Sequence, residues 1–555
     1  MRAIYRFSSL LALLCLAHWV SCKVVRFELD LTYEDREIAG FVRKAILSNG
    51  QLPGPTLRVK QGDDVEFVVS NLMPFATTVH FHGVMQQGTS WSDGTPGLSQ
   101  QPIDSGDTFV YRWTAVDYGS SVKKPFKLIT EDAAKLAAMI KAEVNTKPLM
   151  LSDWRFLTSE VIWQAEIDSG CESICSNAIL FNGRGSAWYL PQERIHSLTM
   201  PGQRFALGNH TLTDTGCFPP LDSFFGPFPR DPSVLPTGFD EGCIPSHGPT
   251  EIIEVNPYSR YISRDVISMT GSATLVFSID EHPMYVYAID GRYVEPILVE
   301  AVIVPAGSRY SVLVELKQDG FAGKYTIGAA NIGLNQIING TAVLSYTARE
   351  TKNALLFRIS RKLPSQTVNQ TFILNIDHDH ASYRWKLGDS SFPVDYEGLQ
   401  PALFNTSSIP FPHRVSTYNN TWVDIIFNLT EGRQPPHPMH KQSNKYFVIG
   451  YGNQPFTYSS VAEAMEVVPE NFNFEHPQLR DTFSTPVAAG PLGTWLAIRY
   501  FVINPGPFLL HCHLQMHQSG GMALAVMDGV DAWPVVPEEY QLPVGPSPAN
   551  TSPEQ

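Results

Sequence analysis

Apolar and period-two runs recur along almost the whole of this chain, each closed off by Gly, Pro, Asn or Asp. The plainest are "VVRFELDLTY", "DDVEFVVSNL", "TLVFSID", "YSVLVELK", "TFILNID", "DIIFNL" and "WLAIRYFVI". Alternation at period two puts successive side chains on opposite faces of a strand, and short strands at that spacing build β-sandwiches. A length of 555 residues suggests three or four domains, at roughly 150 residues each. Forty glycines and 42 prolines, with 11% aromatic residues, favour strands and turns over helix bundles. One clear helix interrupts the strands. In "TEDAAKLAAMIKAEVN" Thr130 can cap the start, acids fill the first turn, and Leu136, Met139 and Ile140 share a face. We read it as a connector. Domain boundaries are expected near residue 145 and near residue 360, where "RKLPSQTVNQ" breaks the pattern.

Residues 1–22 have the pattern of a signal peptide: Arg2 and Arg6, the apolar run "SSLLALLCLA", then small residues near Ser21. The run is too short to span a bilayer, and no other segment is long or apolar enough. The expectation is a soluble, exported protein, extracellular or in the cell wall. A net charge of −14 with no block of Lys or Arg excludes nucleic acid as a natural partner. Seven N-x-S/T sites, at Asn209, Asn339, Asn369, Asn405, Asn419, Asn428 and Asn550, agree with a glycosylated surface. Of the cysteines, Cys15 and Cys22 would leave with the signal. Cys171, Cys175, Cys217 and Cys243 form an even set, expected as two disulfides of open pairing. That leaves Cys512 alone among histidines.

In "LLHCHLQMHQSGGM" Cys512, His517 and Met522 follow one another at intervals of five. Thiolate, imidazole and thioether are a blue-copper set that needs one more imidazole from elsewhere. If "LLHCHL" is a strand, Cys512 faces one way while His511 and His513 face the other. Copper on Cys512 would then be wired by short covalent paths to metal held by its two neighbours. "TTVHFHGV" puts His80 and His82 on one face of a strand by the same alternation. "PPHPMHK" supplies His437 and His440, with prolines forcing a turn that brings both inward. His282, His378, His380 and His413 read as structural histidines.

Together these pieces resemble the multicopper oxidases, the family of fungal laccases, ascorbate oxidases and ferroxidases. "HFHGV" with "WSDG", "HPMHK" and "HCHLQMHQSGGM" look like three of its copper motifs. "LFNGRG", "YAIDGRYVEP" and "IVPAGSRYSVLVE" look like the framework of its second domain. The resemblance covers nearly the whole mature chain and implies an all-β protein of three consecutive cupredoxin-like Greek-key β-sandwich domains. These would be residues 23–145 with the connector helix, 146–360, and 361–555 with a C-terminal tail. It implies type 1 copper on His437, Cys512 and His517 with Met522 axial, and type 2 copper on His80 and His440. His82 and His513 would serve one type 3 copper and His511 the other, four coppers in all for the family. Electrons would enter at type 1 copper from a small phenolic or aromatic substrate, pass through Cys512, His511 and His513, and reduce O2 to water. The "Q-M-H" and "S-G-G-M" details look closer to pigment-associated fungal laccases than to membrane ferroxidases. The resemblance points to a monomer, with ferroxidase activity as the enzymatic runner-up.

Two departures qualify the resemblance. Gln442 stands in "HPMHKQ" where the family has a type 3 histidine, and a carboxamide oxygen is a poor copper ligand. The family's second H-x-H motif is also missing, since no histidine lies between His82 and His196. The chain jumps from Ser121 to "VKKPFKLIT", as if roughly 15 to 25 residues, two strands with their turns, had been lost from the protein or from its gene model. The first domain therefore reads as truncated after about residue 121. Of the ten ligating histidines the family uses, this chain matches seven. The copper cluster is expected to be incomplete, which opens a further alternative: a weakened relative that binds copper or transfers electrons.

Overall fold

The computed structural model describes residues 23–116, 126, 129–242, 244–256, 258–318, 323–347, 364–365, 367–488 and 491–541. The signal segment, Cys243, Asn550 and the junction at Ser121 lie outside the described residues.

All seven runs that open the sequence argument are strands. In the first unit, β1 (Val24–Ile38), β2 (Phe41–Ser48), β3 (Asp64–Asn71) and β4 (Thr108–Thr114) form one sheet in the order β2-β1-β3-β4. β1 runs parallel to β3, and the other neighbours are antiparallel. Alternation in β3 sends Val65, Phe67 and Val69 into a core with Leu29, Leu31, Tyr111 and Trp113. Between β3 and β4 the chain crosses this core with little regular structure, and His80 and His82 lie on that crossing.

The middle unit stacks a six-stranded sheet on a five-stranded one around a continuous Leu, Ile, Val and Phe core. The last unit repeats the plan, with Trp385, Cys512 and Met522 inside its core. The protein is therefore mostly β, as expected, and two of its units are complete two-sheet sandwiches. Among the described residues the first unit has a single sheet.

The connector helix, α1 (Ala133–Val144), forms, but Thr130 is not its cap. Asp132 takes that role: its carboxylate accepts from the backbone N–H groups of Ala134 and Lys135. Leu136, Met139 and Ile140 do share a face, packed with Phe126, Tyr261, Tyr287 and Leu313 on the middle unit. Further helices at Ser159–Ser169, Gln192–Leu198 and Pro201–Leu207 lie in the long insertion before the strand Ile252–Val255. The first of these has no apolar stripe, because its buried residues are Ala165, Glu166 and Ser169. Within the insertion Cys175 is disulfide-bonded to Cys217, while Cys171 is buried.

Candidate metal centres

Three segments of the last unit converge on Cys512. The strand Gly506–Cys512 delivers the cysteine, and the short helix Gln515–Ser519 folds back to return His517. The strand Pro438–Lys441 pairs with it, placing Met439 opposite Cys512 and His440 opposite His511. The prolines of "PPHPMHK" thus lead into a strand, not a turn, and send its two histidines to different places. His437 Nδ1 lies 3.0 Å from His517 Nδ1, and Cys512 Sγ lies 3.9 and 3.5 Å from those two nitrogens.

The remaining ring nitrogens fix the tautomers. His437 Nε2 donates to Gln434 Oε1 at 3.2 Å, and His517 Nε2 donates to Glu172 Oε1 at 3.2 Å. Both Nδ1 atoms are thereby turned toward the sulfur, an arrangement that fits a soft metal held by two imidazole nitrogens and one thiolate. Met522 is fully buried in the same core. Burial depresses the basicity of His437 far below normal. Burial also opposes a proton on His517, but the Cys512 sulfur and Glu172 outweigh it and raise His517 to about 10.

A second cluster lies on the opposite side of Cys512, where strand alternation sends His511 and His513. Their ring centroids are 5.9 Å apart, with His440 5.4 and 6.0 Å away. His80 and His82 arrive from the first unit on an irregular crossing, not on the strand expected for them. "WSDG" explains how His80 is aimed. His80 Nδ1 donates to the Asp93 carbonyl at 2.7 Å, and Gly94 permits the approach because a Cβ there would sit 1.9 Å from the Val79 carbonyl oxygen. His440 Nδ1 donates to the Asp481 carbonyl at 2.9 Å, and His511 Nδ1 to the Cys512 carbonyl at 2.8 Å. His80 Nε2 and His440 Nε2 are left buried with no hydrogen-bond partner among the described residues. Orphaned buried nitrogens on rings 6.1 Å apart suit a bound cation. Burial depresses His440 and His513 well below the usual imidazole range and His511 to about 4, so their lone pairs are available at neutral pH.

His82 does not follow this pattern. Its ring stacks on His440 at 3.9 Å, and its Nε2 accepts from Arg309 Nη1 at 2.8 Å. Gln442 is occupied too, its Oε1 accepting from Leu509 N at 2.8 Å and Thr95 Oγ1 at 3.0 Å.

Sequence reasoning missed Arg309, Asp481, Glu172 and Trp385. Arg309 sits inside the quoted framework run "IVPAGSRYSVLVE", but that pattern says nothing of a side chain crossing to another domain. The Trp385 ring lies 4.5 Å from the His517 ring, tilted by 32°, and its indole N–H donates to Glu172 at 2.9 Å. Of the histidines read as structural, His282 is held by Asp280 and Tyr346, and His413 by Ser390 and Tyr396. His380 is exposed. The His378 ring lies 3.8 Å from the Trp385 ring, tilted by 34°, and His378 shares a potential cation site with Asp377 and Glu431. Asn428 is a correction. It is buried, with its amide donating to Asn375 and accepting from Phe456 N, so the folded chain cannot carry a glycan there. Asn209, Asn369 and Asn405 are exposed.

A histidine–cysteine pocket joined through its own cysteine to a second histidine cluster, on cupredoxin-like sandwiches, defines a copper oxidoreductase. The chain belongs to the multicopper oxidase family, whose models match residues 30–124, 145–349 and 375–532. It is 37% identical to laccase abr2 of Aspergillus fumigatus, over 97% of this chain and 100% of that protein. To multicopper oxidase MCE of Talaromyces pinophilus it is 36% identical, over 96% and 97% respectively. The fold matches that of the laccase from Botrytis aclada with a TM-score of 0.64 at 20% identity, covering 93% of this chain and 89% of that one. Among the described residues no helix is long and apolar enough to cross a membrane.

Proposed function

We propose that this protein is an exported laccase-type oxidase of phenolic or polyketide-derived aromatic substrates, pigment precursors among them. The observation that carries the reading is the convergence of His437 Nδ1, His517 Nδ1 and Cys512 Sγ beside the Glu172 carboxylate. Copper bound there would supply one-electron chemistry, drawing electrons singly from the substrate for delivery to dioxygen. Glu172 holds the His517 ring by its Nε2 and shares that oxygen with the Trp385 indole. Cys512 links the two centres through its own backbone to His511 and His513. Exposed sequons and the Cys175–Cys217 disulfide support an oxidising compartment.

The test is Cys512→Ser. The expected result is a folded protein without blue absorption and without dimethoxyphenol oxidation. Undiminished oxidation would overturn the reading. Ferroxidase activity is the second reading, favoured by Asp377, His378 and Glu431 two rings from His517. Faster oxidation of ferrous iron than of dimethoxyphenol, lost in Glu431→Gln, would establish it.

A further inference from the structure

Arg309 opens the strand Arg309–Glu315 of the middle unit, just after the turn that follows Pro305, and its side chain enters the histidine cluster. Its Nη1 lies 2.5 Å from Asp481 Oδ1, 2.8 Å from His82 Nε2 and 3.1 Å from the Gly307 carbonyl, and its Nη2 lies 2.7 Å from Asp481 Oδ2. Lys445 Nζ adds a second cation to Asp481 at 2.5 Å. The turn is pressed against the cluster itself: a Cβ on Gly307 would come within 2.5 Å of the His513 ring.

The ligand atoms of His82, His440 and Asp481 lie within 4.8 Å of one another, the spacing of a metal site. Two of those three residues are already committed. Both Asp481 oxygens are bound by the guanidinium, and the His82 lone pair accepts from it. A planar guanidinium in bidentate contact with a carboxylate is a strong, geometrically specific pair. A copper ion placed there would also meet Arg309 and Lys445 at short range in a buried site, where repulsion between cations is weakly screened. His80 Nε2 and His440 Nε2 are unpartnered among the described residues, as is His513 Nδ1.

We propose that Arg309 caps His82 and takes the room of a type 3 copper, so that this chain holds a single copper at His80 and His440 in place of a three-copper cluster. The inference rests on the type 1 copper reading above and narrows the oxidase reading, because electrons leaving Cys512 would then reach one copper and not a three-copper cluster. With the type 1 site, the expected content is two coppers per chain. His82 becomes a hydrogen-bond acceptor, and the positive charge that a metal would bring comes from the protein. The matching detail is Gln442, whose amide oxygen serves Leu509 N and Thr95 and is not left for a metal.

The experiment is copper quantification and electron paramagnetic resonance on the full-length protein and three variants. The wild type is expected to hold two coppers, both visible by resonance. His82→Ala is expected to keep both, and His80→Ala to keep only the blue one. Arg309→Ala, which frees His82 and Asp481, is expected to gain a third copper. Should that variant not fold, His82→Ala decides alone. Four coppers with half of them silent by resonance, or a loss of copper in His82→Ala, would overturn the proposal. Blue absorption reports the type 1 site separately, so its absence would sink the laccase reading while the His80 and His82 variants still test this one.

Discussion

Glu166 is a carboxyl group buried for local reasons with consequences for the whole stability curve. Its environment raises it from 4.5 to about 8, chiefly by burial, despite a hydrogen bond from Ser173 N at 2.7 Å. The native state therefore binds this proton more tightly than the unfolded chain does. The stability contribution is complete below pH 4.5 and is lost as pH rises through about 8, with a slope of at most about 1.4 kcal/mol per pH unit. Glu166→Gln keeps an acceptor for Ser173 and removes the titration. It should match the wild type in urea midpoint at pH 4.5 and exceed it at pH 8; equal midpoints at both would refute the assignment. At this scale the candidate ligand group around Cys512 could be picked out because residue type and spacing carry the chemistry locally: Cys512, His517 and Met522 fall within a dozen residues. Glu172 and Arg309 were not legible. Their partners lie far away in sequence, and a lone Glu or Arg has no spacing to betray it.

The strand Pro438–Lys441 is four residues long, and all four are buried. Lys441 is held without exposure between Asp528 at 2.7 Å and the Tyr500 ring at 4.4 Å. Asp528 also accepts from Thr417, Asn444 and Tyr500. A buried pair contributes little net stability, but removing one partner strands the other. Lys441→Met should lower stability by about 3 kcal/mol, and adding Asp528→Asn should recover most of that, as read by urea unfolding. Since Lys441 follows His440, the single variant should also weaken the non-blue copper signal. Element types were largely readable from periodicity, and their ends were not. Thr130 and Asp132 are both good caps two residues apart, and only the path of the chain chooses Asp132. His80 and His82 sit in an alternating run, yet they leave strand geometry where "WSDG" takes the His80 ring and packs on Val79, and Arg309 takes the His82 ring. The helix Ser159–Ser169 escaped notice because it turns a glutamate inward, breaking the pattern by which helices are found.

The three units are tied by polar contacts as well as apolar ones. Arg480 of the last unit pairs with Asp290 of the middle unit at 2.7 Å, beside the Arg309–Asp481 pair. His80 and His440 come from opposite ends of the chain, so an ion shared between them would bind only the assembled protein and stabilise it by mass action. Chelation should therefore lower the melting temperature of the wild type more than that of His80→Ala; equal decreases would place that copper elsewhere. The repeated sandwiches were legible in composition and strand spacing. How the units meet was not, because the charged residues at the seams look like ordinary surface in the sequence. One seam sets a timetable for synthesis. Among the described residues β4 is the edge of the first sheet; Ser92 Oγ accepts from Arg112 N at 2.9 Å, and further cover comes from far along the chain, where Tyr540 donates to the Val110 carbonyl at 2.6 Å and Glu539 pairs with Arg112. The two sides of that contact are 430 residues apart, which at ordinary elongation rates is roughly 20 to 90 seconds. For that interval part of this edge stays uncovered on the nascent chain, where open strand edges invite mispairing.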